Sequence, residues 1–253
     1  MTSAASGARV PSLLELLWRT APATKRGPRK GLTVDAVVEA AIAIADDEGL
    51  EAVTMRRLAR SLGVAPMTLY TYVPSKTELV VLMLDALYAS MERTETEGRP
   101  WRERLAAVAR DNHAMYLAHP WAATVSQTRP PLGPGQCAKY ERELRALEGI
   151  GLGDVEMDDA LAHLLAFVRT AAADAARAEA EREASAMSDR QWWEANGPLL
   201  AKVLDAERFP TAVRVGRAAG EARGTAFDPR HAFEFGLERT LDGLAVLVGG
   251  SEP

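Results

Sequence analysis

Apolar residues recur at intervals of three and four along most of the chain, and no alternating stretch is long enough to predict a β-strand. The first long stripe predicts an amphipathic helix that Thr33 caps and that Gly49 ends after Glu48. A second helix is predicted from Lys76 to about Glu92. Its circumference is mostly apolar, so it must be covered on more than one side. The pattern predicts an all-α protein.

The stretch between these helices, from Thr54 to Lys76, has the pattern of two short helices joined by a tight turn. Thr54 is placed to cap the first helix, and Gly63 stands where a left-handed residue would end it. Pro66 opens the second helix, where its missing N–H costs nothing. Ser75 begins a capping box for the helix that follows. Together with a polar and aromatic outer face, this arrangement predicts a helix-turn-helix that reads DNA.

The remainder of the chain has the same helical periodicity, interrupted by proline and glycine. Helices are predicted at residues 101–118 and 137–147, from 154 through the alanine-rich stretch 171–186, and from the start signal Asp228-Pro229 onwards. Breaks are predicted at residues 127–136, 196–198 and 209–210.

These elements divide the chain into three segments. Residues 1–32 are an N-terminal extension with a basic arm, in which Pro11 to Trp18 has the pattern of one short amphipathic helix. Such a helix is too short to be stable alone, and whether it docks on the body, pairs with a partner chain or stays disordered is left open. Residues 33–95 are a three-helix DNA-binding domain, with the helix-turn-helix at 54–73. Residues 96–253 are a larger helical domain, and a polar, glycine-containing turn marks its start.

Composition is typical of a soluble protein inside the cell. Of the 253 residues, 47% are hydrophobic and 26% are charged. The longest apolar run is six residues, Leu79 to Leu84, whereas a membrane span needs ~20. The N-terminus has no apolar region of a secretory signal. A single cysteine, Cys137, excludes an internal disulfide and a cysteine-based zinc cluster. A cytoplasmic location and no membrane partner are therefore expected.

The net charge of −5 conceals an uneven distribution. Residues 1–80 hold ten Lys or Arg against eight Asp or Glu, a balance of +2, which leaves −7 for the rest of the chain. Four basic residues without an acidic neighbour lie just ahead of the predicted domain: Lys25, Arg26, Arg29 and Lys30. Their position favours an arm that contacts phosphates or a minor groove over a solvated linker.

The run ADDEGLEAVTMRRLARSLGVAPMTLYTYVPSKTELV resembles the N-terminal DNA-binding domain of the tetracycline-repressor (TetR) family. The matching elements are Gly-Leu, Thr-x-Arg-Arg-Leu-Ala, Leu-Gly-Val, Thr-Leu-Tyr and the lysine that opens the next helix. The match spans residues 30–90, and beyond it the resemblance is architectural. It implies a dimeric transcriptional regulator whose second domain binds a small-molecule effector.

On this resemblance, the DNA-contacting residues divide by their chemistry. Hydroxyl-bearing or charged side chains stand at the family's phosphate-contacting positions: Thr54, Thr68, Tyr70, Tyr72 and Lys76. Arg56 matches a base-reading arginine whose natural partner is guanine, and Arg57 adds charge beside it. Pro66 and Met67 occupy other base-reading positions. They can contact thymine methyl groups but cannot donate the bidentate bonds that read adenine, so the operator sequence stays open.

Aromatic residues of the second domain indicate where an effector would bind. Small-molecule pockets in helical proteins lie between helices, and aromatic and apolar groups line them with a few polar ones. The candidate lining residues are Trp101, His113, Tyr116, Arg129, Phe167 and Arg169. Filling of the core is the alternative role for each of them. The identity of the effector stays open.

Two late helices are candidates for a homodimer interface. An apolar stripe and an alanine-rich helix would form a four-helix bundle across a two-fold axis. The candidate interface residues are Leu161, Leu164, Leu165, Val168, Phe233, Leu237, Leu241, Leu244 and Val248. Two-fold symmetry in turn implies a palindromic operator on double-stranded DNA.

Enzymatic motifs are absent from the sequence. It contains no glycine-rich phosphate loop, no nucleophile elbow and no HExxH metal motif. No catalytic residue, metal or cofactor is therefore expected, and the expected function is a ligand-responsive repressor. Two alternatives stay open. One is an effector-independent DNA-binding regulator or activator, and the remoter one is an all-helical enzyme or small-molecule carrier.

Overall fold

The computed structural model describes residues 12–20, 32–125, 130–185, 187–224 and 228–249. Within these ranges the regular structure is helical without any β-strand, which confirms the all-α prediction. The α-helices are α1 (Leu13–Leu17), α2 (Val34–Glu48), α3 (Met55–Ser61), α4 (Pro66–Leu69), α5 (Lys76–Ser90), α6 (Trp101–Ala118), α7 (Pro120–Thr124), α8 (Pro134–Arg145), α9 (Asp154–Ser185), α10 (Asp189–Val203), α11 (Pro210–Arg223) and α12 (Pro229–Gly249). A 3₁₀ turn at Leu50–Ala52 separates α2 from α3.

Local capping explains where the helices of the DNA-binding domain begin and end. The hydroxyl groups of Thr33, Thr54 and Ser75 accept hydrogen bonds from backbone N–H groups in the first turns of α2, α3 and α5. Gly49 and Gly63 follow α2 and α3 with φ angles of 83° and 65°, which glycine adopts at little cost. The predicted caps and stops are confirmed at all five positions.

Helix α5 is shared by the two halves of the chain. Its buried residues are Leu79, Leu82, Met83, Leu84, Asp85, Leu87 and Tyr88. Helix α2 packs on it from the DNA-binding domain, α8 from the second domain and α1 from the N-terminal extension. This confirms that the helix is covered on more than one side. Each large apolar side chain buried here stabilises the fold by roughly 1.5–3 kcal/mol relative to exposure.

A buried carboxylate fixes the start of α8 against α5. Asp85 is 6% exposed and accepts hydrogen bonds from the N–H groups of Gly135 (3.2 Å) and Gln136 (2.8 Å). Negative charge is favourable at a helix N-terminus. The prediction of a loop through residue 136 is therefore wrong for Pro134 to Gln136. The cap comes from a residue 50 positions earlier, which no local pattern reveals.

The second domain is built around α6, α9 and α12, which pack on one another. A polar cluster lies buried between α6 and α8. In it, Glu143 accepts hydrogen bonds from the amide of Asn112 (2.6 Å) and from the ammonium group of Lys139 (2.7 Å). Burial lowers the pKa of Lys139, and the charge of Glu143 opposes that change. Such paired groups are costly to separate, because a lone buried charge has no compensation.

Two elements of the second domain differ from the prediction. Helix α7 follows His119 directly, where only a helix end is predicted. Helix α10 runs through residues 196–198, where a break is predicted. Pro198 removes one backbone N–H donor from the helix, and separately the side-chain amide of Asn196 donates to the carbonyl oxygen of Trp192 (2.9 Å). A single missing bond therefore weakens α10 without ending it.

The short helix predicted near the N-terminus is confirmed as α1. Ser12 and Glu15 form a capping box at its start, and Leu16 and Leu17 are buried. Across the described residues, none of the helices is both long enough and apolar enough to cross a membrane.

We expect Gly135→Ala to destabilise the protein by about 1–3 kcal/mol. The added methyl group would collide with the backbone carbonyl oxygen of Asp85, so α5 and α8 would have to separate. Gly216→Ala is the control, because nothing lies within 4 Å of a Cβ at that position inside α11. Alanine there should stabilise by up to about 1 kcal/mol. Urea unfolding followed by circular dichroism measures both, and equal midpoints would contradict the close approach of the two helices.

Candidate nucleic-acid interface

Helices α3 and α4 pack through an apolar inner side. Leu58 and Ala59 of α3 and Leu69 of α4 are at most 1% exposed, and Val73 is fully buried just beyond α4. These positions are spaced so that each helix presents its other side outward. The buried residues therefore fix the orientation of the outer surface.

The outer surface carries the residues with base-reading chemistry. Arg56, Pro66, Met67 and Tyr70 are exposed, as the sequence predicts. Met67 is 74% exposed and Tyr70 44%, so neither side chain is used to fill the core. A guanidinium group suits guanine, an apolar side chain suits a thymine methyl group, and a phenol suits a phosphate. No acidic residue lies between Thr54 and Glu78 to oppose an approaching phosphate.

Three of the residues predicted to contact phosphates through a hydroxyl group differ in their exposure and in their contacts within the protein. Thr54 is exposed, and its oxygen caps α3 by accepting from the N–H of Arg57 (3.2 Å). Thr68 is half-buried. Tyr72 is also half-buried and packs against the core. The hydroxyl hydrogen of Thr54 is left to donate, because the cap uses only its oxygen.

Two basic side chains that are predicted to contact DNA bind other groups of the protein. Arg57 is half-buried and forms an ion pair with Glu48 at the end of α2. The ammonium group of Lys76 donates to the carbonyl oxygen of Leu50 (3.0 Å) in the 3₁₀ turn. Both side chains therefore join neighbouring elements of the domain. The basic arm, Lys25, Arg26, Arg29 and Lys30, lies outside the described residues, as does Arg129.

A polar contact that sequence reasoning misses joins the two domains. Asp46 of α2 accepts from the indole N–H of Trp121 (2.7 Å), and the same oxygen lies 2.8 Å from Nδ1 of His119. Trp121 is 4% exposed, so its N–H needs a partner inside the protein. The contact ties the end of α2 to the junction of α6 and α7. Its partners are 75 residues apart, which leaves no local signal.

Two of the predicted effector-binding residues come together around an aromatic ring of α12. His113 stacks on Phe233 with ring centroids 3.8 Å apart, and Phe167 lies parallel to Phe233 at 5.9 Å. Burial lowers the pKa of His113, and the nearby carboxylate of Glu234 partly opposes this. Three further candidates that the structure describes are not part of this stack. Tyr116 is buried in the core, and Trp101 and Arg169 are half-buried.

A cavity of about 490 Å³ lies elsewhere, between the end of α5 and the outer face of α6. The segment that follows α5 forms its third wall. Its lining includes Met91, Arg93, Asp111, Met115 and His119, and none of the predicted effector-binding residues. We call this cavity the α5–α6 groove. It adjoins the Asp46 contact, because His119 belongs to both.

The predicted dimer-interface residues lie almost entirely inside one chain. Seven of the nine are at most 8% exposed: Leu161, Leu164, Val168, Phe233, Leu237, Leu241 and Leu244. Only Leu165 and Val248 are half-buried. Within one chain these seven residues pack α9 and α12 together and expose little surface, so a role for them in an interface stays a prediction. The exposed residues of α12 include Phe235 (57%) and Val246 (77%).

Both halves of the chain match known regulatory families. Residues 37–83 match "Bacterial regulatory proteins, tetR family", and residues 94–248 match "Tetracyclin repressor-like, C-terminal domain". The HTH-type transcriptional repressor DrrR1 of Streptomyces coeruleorubidus is 41% identical over 249 residues, which cover 98% of this chain and 90% of the relative. Tetracycline repressor protein class C of Escherichia coli is 26% identical over 220 residues, 86% of this chain and 90% of that protein.

Solved structures agree in fold. Apo ActR from Streptomyces coelicolor superimposes with a TM-score of 0.71 at 32% identity, covering 89% of this chain and 100% of that chain. ActR in complex with actinorhodin gives a TM-score of 0.74 at 31% identity, covering 88% of this chain and 100% of that chain.

We expect the protein to lose stability as the pH falls through the ordinary imidazole pKa of 6.5, partly through His113. Its pKa is lowered in the folded state, so the unfolded chain binds the proton first and the free energy of unfolding falls. His113→Phe keeps a ring on Phe233 and should flatten the pH profile. His163→Phe, at an exposed position of α9, is the control. Urea unfolding at pH values above and below 6.5 measures the free energy of unfolding of each variant. A His113→Phe profile parallel to the wild-type profile would contradict the role of His113.

Proposed function

Because the chain belongs to the TetR family of transcriptional regulators, we propose that it represses transcription by binding a palindromic operator as a homodimer that a small-molecule effector releases. The observation that carries this proposal is the α3–α4 pair. Its apolar side is buried, while Arg56, Met67 and Tyr70 are exposed on the outer surface. A bacterial regulator of this kind acts in the cytoplasm, where the DNA lies.

We infer the division of labour on DNA from side-chain chemistry. Arg56 can bind guanine through two parallel hydrogen bonds, and this contact would carry most of the base discrimination. Pro66 and Met67 offer only apolar contact, which favours thymine through its methyl group. Tyr70 and Thr54 would bind phosphate oxygens and fix the register on the duplex. Arg57 and Lys76 would support this surface through their contacts with Glu48 and Leu50.

The homodimer is proposed to form through the exposed faces of α9 and α12. The inner faces of these helices are used within one chain, so the outer faces are what remains for a second copy. On α12, Phe235 and Val246 are eleven residues apart, about three helical turns, and so lie on one side. Two-fold pairing there would hold two α3–α4 pairs at a fixed separation.

An effector is proposed to act by changing that separation. ActR, which shares this fold, has been solved with actinorhodin and with (S)-DNPA, which supports a ligand-binding helical domain here. The α5–α6 groove is where we propose that a ligand acts, because its walls include the end of the helix that both domains share. A ligand that binds equally well at both separations of the α3–α4 pairs would not change their populations, so the effector must bind one separation more tightly.

We expect Arg56→Ala to weaken binding to the preferred duplex by about 1–3 kcal/mol and to relax the preference at one base pair. Tyr70→Phe should weaken all duplexes about equally, because phosphate contacts carry no base information. Arg99→Ala, at an exposed position after α5, is the control and should leave the ranking unchanged. Fluorescence anisotropy on duplexes with single base-pair substitutions measures this. Identical sequence profiles for Arg56→Ala and Tyr70→Phe would refute the division of roles.

We expect Val246→Glu to convert the dimer into monomers, because a carboxylate at a 77% exposed position of α12 would be buried without a partner at the interface. Val203→Glu is the matched control, since Val203 is 79% exposed on α10. Sedimentation velocity distinguishes the two states. A dimer that survives Val246→Glu, or dissociates equally with Val203→Glu, would place the interface elsewhere.

A further inference from the structure

Helix α1 and the two residues that follow it contact three different elements. It packs on α5, with Leu16 and Leu17 buried. The indole N–H of Trp18 donates to the carbonyl oxygen of Leu132 (2.8 Å), in the segment that leads into α8. Arg19 forms an ion pair with Asp35 of α2 (2.5 Å). A helix of five residues is not stable alone, so these contacts are what hold it in place.

The backbone of Arg19 has an unfavourable conformation. Its φ angle of 53° makes it the one non-glycine residue with positive φ in the described part of the chain. A non-glycine residue keeps such a conformation only where its surroundings hold it. The guanidinium group meets Asp35 through two nitrogens, and it also donates to the carbonyl oxygen of Leu16. The contacts of the Arg19 side chain with Asp35 and Leu16 therefore hold this backbone conformation.

The start of α8 and the segment that leads into it are held by contacts with two different helices. On one side, Asp85 of α5 binds the N–H groups of Gly135 and Gln136. On the other, Trp18 binds the carbonyl oxygen of Leu132, whose own side chain is 59% exposed. Leu132 is therefore fixed to α1 by a polar contact and not by burial of its side chain. Helix α5, α1 and the start of α8 form a closed ring of contacts, to which Arg19 attaches α2.

We propose that α1 is a strap that couples the start of α8 to the DNA-reading half of the protein. Movement of α8 relative to α5 must either break the bond between Trp18 and Leu132 or displace α1, and with α1 the ion pair to α2. Through the strap, a conformational change in the helical domain can reach α2 without any bending of α5. This rests on the regulatory function proposed above, whereas the strap itself can be tested in the free protein.

The first experiment measures hydrogen exchange at the amides of Gly135 and Gln136 in the free, full-length protein. Trp18→Phe keeps an aromatic ring on α1 but removes the N–H donor. Exchange at both amides should become roughly three- to tenfold faster, because one hydrogen bond that resists opening is lost. Leu14→Ala is the matched control on the same helix, since Leu14 is 51% exposed. Unchanged exchange in Trp18→Phe, or an equal increase in Leu14→Ala, would overturn the strap.

The second experiment tests whether the strap couples DNA binding to the start of α8. Coupling is reciprocal, so binding of a duplex from the DNA beside its own gene should change exchange at Gly135 and Gln136 in the wild type by at least about threefold. Trp18→Phe should bind the same duplex without that change. A DNA response in Trp18→Phe equal to the wild-type response would refute transmission. If the wild type binds no such duplex, the proposed function fails, and the exchange rates in the free protein still decide whether the strap exists.

Discussion

The burial of α5 is the constraint on which the rest of the structure depends. Seven of its fifteen residues are buried, and they are distributed so that no single neighbour can cover them. Because so much apolar surface is unfavourable in water, α1, α2 and α8 must pack on it from different directions. The DNA-reading half and the helical half are therefore parts of one packing arrangement and not independent domains on a flexible linker.

Apolar packing brings these elements together, but it is not directional, and polar contacts at its margins set their orientation. Asp85 fixes the start of α8, Asp46 fixes the junction of α6 and α7, and Arg19 fixes α1 on α2. The contacts of Asp85 and Asp46 join residues that are 50 and 75 positions apart, whereas Arg19 and Asp35 are 16 positions apart. A buried donor or acceptor that loses its partner carries a desolvation cost, so the contacts of the buried Asp85 and Trp121 favour one arrangement over a shifted one.

The DNA-binding domain could be predicted from sequence because its signals are local. Thr33, Thr54 and Ser75 cap helices within their own first turns, and the glycines stop them. The start of α8 and the α5–α6 groove could not be predicted, because they depend on residues brought together by folding. The candidate interface residues are a different case. Periodicity identifies the apolar face of α9 and α12, but it does not say whether the same chain or a second chain covers that face.

Footprinting on the DNA beside the protein's own gene tests whether two copies of the α3–α4 pair read one duplex. We expect two protected half-sites related by a palindrome, with centres about one helical turn or a multiple of it apart. Protection should weaken steeply as salt rises, because phosphate contacts release counterions. A single unpaired footprint, or no protection at low salt, would contradict an account in which two copies of α3–α4 read one duplex.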